Sequence, residues 1–184
     1  GWFLHPKILS TIKRLQEIAE EALRRPRRRR SEIAIIVSDE SRPYLGHSYD
    51  LVGPLVIRQI HEQIARIGTP FDIYLASDIG EMPEYKLYIF LDAIYMSKRT
   101  RKEVTRRVLR HGHVALWIFA SGLITDEGIS AEAASEIMGI KLEMLPTKSG
   151  VEVVINNYLH PLTRKLPKNL RYGTENKIGP ILYC

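Results

Sequence analysis

The sequence predicts an α/β domain, doubly wound around a mostly parallel sheet, and three observations carry that expectation. Short, strongly apolar runs recur within 32–38 (EIAIIVS) and at 87–91 and 114–119, the last unbroken, the pattern of strands buried on both faces. Amphipathic stretches of helical period lie between such runs. The order strand–helix–strand then repeats, and right-handed crossovers turn that order into parallel neighbours with helices on both faces. The most hydrophobic run, Val114–Phe119, is expected at the centre of the sheet, with a sharp bend at Ala120, Ser121 and Gly122 after it.

Taken in order, Pro6 suits the first turn of a helix, where its missing N–H is not needed. Ile8, Ile12, Leu15, Ala19 and Ala22 or Leu23 then form one apolar stripe, and Lys13, Arg14, Glu17, Glu20 and Glu21 fill the other side. Such a stripe needs a partner, in its own domain or in a neighbour. Pro26 ends the helix inside the arginine-rich connector at 24–30. Strand 32–38 closes on the polar turn Asp39–Pro43, and 44–48 reads as loop. A helix over 51–67 presents Val56, Ile60, Ile64 and Ile67 on one side and stops at Gly68. Phe71–Leu75 and Leu87–Leu91 are strands, the second ending in Asp92-Ala93. The helix Lys98–Arg110 has Ser97 or Thr100 as its cap, and Thr100 with Glu103 has the spacing of a capping box.

After the Val114–Phe119 strand, a short helix Ala131–Met138 is capped by Ser130 and stopped by Gly139. Lys141–Leu145 and Val151–Ile155, joined by 146–150, read as an antiparallel hairpin appended to the sheet. The stretch 156–176 is loop-rich. The apolar segment 178–183 runs into the terminus without a closing turn, so the domain is expected to be cut short there.

Composition narrows the function classes. At 184 residues the chain can bury one good core, and 45% hydrophobic with 26% charged residues is ordinary for a globular protein. No apolar run reaches the roughly 20 residues that cross a bilayer, and no secretory signal is visible at the start, so a cytoplasmic setting without membrane contact is expected. The one cysteine, Cys184, excludes a disulfide framework or a cysteine zinc cage within one chain. Six arginines between 24 and 30 account for the whole formal charge of +6. They could form a phosphate-binding arm, but no basic stripe elsewhere extends the footprint. A solvated linker or a patch facing acidic residues is preferred, and nucleic acid is not expected as a partner.

The bend after Phe119 is where this architecture would present a nucleophile or line a ligand crevice. Ser121 is the only hydroxyl there and lacks the flanking glycines of G-x-S-x-G, so a turn serine is the preferred reading. His111 and His113 straddle a helix stop and a strand start with no carboxylate pair nearby, and neither His61-Glu62 nor His160 has a chemical partner. No metal site or cofactor is therefore expected. The turn Ser38–Ser41 is acidic and glycine-free, which argues against a nucleotide. What remains is a possible strand-end crevice formed by Asp39, Arg42, Asp92, Ala120, Ser121 and Gly122.

Five stretches carry a resemblance: WFLHPKILSTIKRLQEIAEEAL, SEIAIIVSDESRPYL, YKLYIFLDAIYMSKRTRKEV, HGHVALWIFASGLITDEG and HPLTRKLPKNLRYGTENKIGPILYC. Their order and spacing resemble the amidotransferase-like, or trimerisation, domain of β-galactosidase-type glycoside hydrolases (family 42 and relatives). The resemblance implies a flavodoxin-like, class I glutamine amidotransferase-like fold. It implies 1–25 as the helix leaving a catalytic barrel, 26–31 as connector and 32–184 as the α/β domain. It further implies that Ala120 stands about where related enzymes carry cysteine, and that the glycosidase's two catalytic glutamates belong to a barrel. A barrel of that kind needs about 250 residues, more than this chain has. The expected function is that of a non-catalytic accessory and oligomerisation domain, partnered by such a barrel or by copies of itself. A diverged amidotransferase-like hydrolase and a small-molecule-binding α/β module are the alternatives.

Overall fold

The structure, a computed structural model, describes residues 4–25, 31–45 and 62–184. The chain divides into two units, Gly1–Arg30 and Ser31–Cys184. In the first, α1 spans Pro6–Arg24, with Pro6 in its first turn and His5 as its cap, where the Lys7 N–H donates to His5 Nδ1 at 3.3 Å. Its polar side carries the ion pairs Arg14–Glu17 at 3.1 Å and Arg24–Glu20 at 3.7 Å. None of the helix's residues is buried. Trp2, Phe3 and Arg27–Arg30 lie outside the described residues.

The second unit is a mixed α/β fold. Its sheet contains β1 (Ile33–Val37), β2 (Phe71–Leu75), β3 (Leu87–Phe90) and β4 (Val114–Trp117), all parallel, in the order β2-β1-β3-β4. Because β1 aligns Ile35 with Ile73 on one side and Ile89 on the other, alternate residues of all four strands share a face. Ala34, Ile36, Tyr88 and Phe90 form one core, completed by Val104, Val108 and Ile137. Trp117 stacks on Phe90 with ring centroids 4.4 Å apart. On the opposite face Ile35, Ile89 and Leu91 pack with Ile64. Fully burying a side chain such as Ile35 or Phe90 contributes about 1.5–3 kcal/mol, which makes β1 and β3 the anchor of the unit.

Around the sheet are α2 (Lys98–Glu103), β5 (Ile124–Thr125), β6 (Gly128–Ile129), α3 (Ala131–Met138), β7 (Glu143–Leu145), β8 (Ser149–Val154), β9 (Arg171–Ile178) and β10 (Ile181–Tyr183). α3 follows the sequence reading: Ser130 Oγ accepts from the Ala133 N–H at 3.0 Å, and Gly139 ends the helix at φ 69°. Residues 51–61 of the expected 51–67 helix lie outside the described residues, and Ile64–Ile67 form a 3₁₀ turn that ends at Gly68.

Four expectations are corrected. Among the described residues β4 is an edge strand and not the centre of the sheet, and Val114 and Leu116 are 60% and 46% exposed. An apolar run marks a strand but does not reveal whether another strand lies beyond it. The expected hairpin between 141–145 and 151–155 does not form: β7 pairs with β10, and β8 pairs with β9. β9 lies in the stretch expected to be loop, since its sequence RYGTENKI lacks apolar alternation and it is held by backbone pairing to β8. The last correction concerns α2. Ser97, and not Thr100, is its N-cap, accepting from the Thr100 N–H at 3.2 Å, while Glu103 binds Arg106. The chain then widens into a π-turn over Val104–Val108, which buries both valines.

Candidate functional site

The sheet order reverses between β1 and β3, and the carboxyl ends of such a pair are where open α/β sheets hold ligands. Here the two ends are tied together through a buried carboxylate. The Ser38 N–H donates to Asp92 Oδ1 at 2.6 Å, and Asp92 is only 2% exposed. Burial pushes the Asp92 carboxyl up to about 6; the Ser38 N–H and the Arg42 charge pull it down, and the Asp39 charge adds a smaller upward push. Hydroxyls continue the link. The Ser41 N–H donates to Ser38 Oγ at 3.0 Å, and the Tyr95 N–H donates to Ser41 Oγ at 3.0 Å. Asp39 lies at the rim, accepting from Ser77 Oγ at 2.9 Å. Glu40 accepts from Ser97 Oγ at 2.9 Å and Thr100 Oγ1 at 2.8 Å, joining the β1 turn to the start of α2.

The bend after β4 is built differently. Phe119 adopts φ 56°, a conformation that a bulky side chain rarely takes. The backbone strain of this bend therefore falls on Phe119, whose ring packs against the cluster of Leu45, Ile94, Ala120, Leu123 and Ala134. Ala120, Ser121 and Gly122 are buried. The Ser121 hydroxyl donates to the Phe119 carbonyl at 3.1 Å, inside its own turn. Gly122, at φ 70°, donates its N–H to the Ala93 carbonyl at 2.7 Å.

Arg101 closes this bend. Its guanidinium donates to the carbonyls of Ala133 at 2.9 Å, Met96 at 3.2 Å and Gly122. A Cβ on Gly122 would come within 3.2 Å of Arg101 Nη2. Burial lowers the Arg101 pKa from its ordinary value, and the nearby carboxylates of Glu136, Glu127 and Asp126 oppose that shift.

The six crevice residues thus fall into two groups. Asp39, Arg42 and Asp92 are gathered at the β1 and β3 ends, with the charges of the first two acting on the third. Ala120, Ser121 and Gly122 sit in the buried bend, joined to the first group through the Gly122–Ala93 bond. Glu40, Ser38, Ser41 and Arg101 were not singled out from sequence, although serines and acids clustered at strand ends were a usable signal. His113 Nδ1 lies 3.1 Å from the Arg107 carbonyl, which can only accept, and its ring packs on Tyr88. His160 Nδ1 accepts from the Leu162 N–H within a turn, and His61 lies outside the described residues. Among the described residues no group of three or more His, Cys, Asp or Glu side chains is placed to hold a metal, and no helix is long and apolar enough to cross a membrane.

No protein-family model matches the chain, and no curated protein sequence matches it. Among solved structures, the chain is similar to beta-galactosidase from Bifidobacterium adolescentis, with a TM-score of 0.46 and 17% identity over 60% of this chain. The similarity spans 55% of that structure's chain.

Proposed function

We propose that this chain is a non-catalytic accessory and oligomerisation domain of a β-galactosidase-like glycoside hydrolase, partnered by a catalytic barrel or by copies of itself. The order of the five stretches that resemble the trimerisation domain of such enzymes supports the family. The single observation that carries the non-catalytic part is the bend after β4. Its one hydroxyl, Ser121 Oγ, donates to a carbonyl of its own turn, and Arg101 ties the bend at Gly122 to the Met96 and Ala133 carbonyls. A nucleophilic serine needs a base within about 2.6–3.2 Å of its oxygen, and the Phe119 carbonyl accepts the proton there without being one. In this reading 1–25 connects to the barrel, 26–31 is a connector, 32–184 is the scaffold, and the protein works in the cytoplasm without a cofactor. The apolar stripe of α1, with no buried residue, supports a protein partner for that helix.

Sedimentation equilibrium of the 184-residue chain over a hundredfold concentration range tests the oligomerisation part. Self-association, or binding to an added β-galactosidase barrel domain, is the expected result. A chain that stays monomeric and ignores the barrel would sink the proposal.

A further inference from the structure

A cleft of about 220 Å³ opens between the turn after β1, the turn after β2 and the first turns of α2. It lies at the carboxyl ends of parallel strands, where loops can differ without disturbing the sheet, and it does not include the bend after β4. Its floor includes the buried residues Ala76 and Thr100. Most of the ionic groups around it are already satisfied. Glu40 takes the Ser97 and Thr100 hydroxyls, and Glu103 takes Arg106 at 2.6 Å.

Two lining side chains are different. Arg99, from the first turn of α2, and Glu81, from the turn after β2, have no side-chain hydrogen bond or ion pair with any described residue, and they do not pair with each other. Both line the same small cavity, and both keep their charge available to a ligand there. A guanidinium offers a fork that suits a carboxylate, and a carboxylate accepts well from an ammonium. A ligand carrying one sign of charge would gain one contact and meet one repulsion, whereas a ligand carrying both gains two contacts. The volume limits the size, because pockets for drug-sized ligands run to about 300–1,000 Å³. We propose that this cleft binds a small zwitterion of the α-amino acid class, its carboxylate on Arg99 and its ammonium on Glu81. The proposal is independent of the oligomerisation reading, because every residue in it comes from the sheet unit.

Calorimetric titration of the full chain with L-alanine tests it, with propionate, ethylamine and D-galactose as comparators. Saturable binding of alanine in the millimolar range or tighter is expected, with propionate and ethylamine each about tenfold weaker or worse. Arg99→Gln and Glu81→Gln should each weaken alanine by about tenfold while leaving the melting temperature unchanged, since both side chains are exposed. Gly80→Leu, which places bulk beside Glu103 in the cleft wall, should abolish binding. The proposal is overturned by no saturable signal at about 50 mM alanine, far above any useful affinity. Equal affinity for propionate or ethylamine, preference for galactose, or indifference to both glutamine substitutions would overturn it as well.

Discussion

Two strand ends of one sheet have been finished in opposite ways. At β1 and β3 the chain keeps charge and hydroxyls: Asp92 buried against the Ser38 N–H, Asp39 and Glu40 braced by serines and a threonine, and an open polar cleft alongside. At β4 the chain turns sharply on Phe119, hides Ser121 and fills the space with a guanidinium whose donors end on carbonyls. Chemistry needs groups that are poised and reachable. The first end has titratable groups near solvent, and the second has a well-satisfied plug. The difference teaches that one parallel sheet can carry an open polar end and a closed structural bend side by side at its strand ends.

The largest effect should come from removing the plug. Arg101→Ala leaves the Met96, Ala133 and Gly122 carbonyls without their charged donor and should destabilise the sheet unit by on the order of 3 kcal/mol, read from urea denaturation. Arg101→Lys should recover only part of that loss, because an ammonium cannot reproduce the planar fork. A loss too small to measure would mean that the guanidinium does not hold the bend closed.

At the open end the sign reverses. The Asp92 carboxyl is raised in the folded chain to about 6 from an unfolded 3.8, so the native state binds more protons than the unfolded one between those values. Its contribution is therefore fully present below about pH 4 and is lost as pH rises through about 6. Asp92→Asn keeps an oxygen for the Ser38 N–H and should raise stability at pH 7 by on the order of 2 kcal/mol. It should also flatten the pH dependence between 4 and 6. Denaturation at pH 4.5 and 7 for both proteins checks this, and a variant less stable at pH 7 would contradict it.

Smaller effects sharpen the picture at β4. Gly122→Ala places a Cβ at positive φ and against Arg101 Nη2, and should cost about 1–2 kcal/mol. Ser121→Ala removes one hydrogen bond within a turn and should cost about 1 kcal/mol or less. It should also leave any activity found in the protein unchanged. Thermal melts of the two variants, compared side by side, should rank Gly122 above Ser121.

Much of the fold was legible because its punctuation is local. Phe71–Leu75 was read to the residue, and the helix from Ala131 to Met138 was bounded correctly by Ser130 and Gly139. What was not legible depends on partners far away in sequence. The apolar run at 114–117 reads the same at a sheet's centre and at its edge, and only the pairing with β3 distinguishes them. β7 looked like one arm of a hairpin with β8, yet it pairs with β10 across an intervening stretch that contains both β8 and β9. At the site, Asp39, Arg42 and Asp92 stood out as charged residues beside strand ends. Arg101 did not, since within Lys98–Glu103 it is one of four cations and reads as part of a solvated helix surface. Glu40 was visible only as one acid in an acidic turn. The cleft escaped notice because Glu40, Glu81 and the α2 residues Arg99 and Glu103 come from three separate stretches that sequence spacing alone does not bring together.

The most direct measurement is the reactivity of Ser121. Incubating the intact chain with a fluorophosphonate that labels activated serines, followed by intact mass and peptide mapping, asks whether that hydroxyl is poised. An unmodified chain is the result predicted for a serine whose hydroxyl donates its hydrogen bond to the Phe119 carbonyl in a closed bend and has no base beside it among the described residues. A stoichiometric adduct mapped to Ser121 would contradict it.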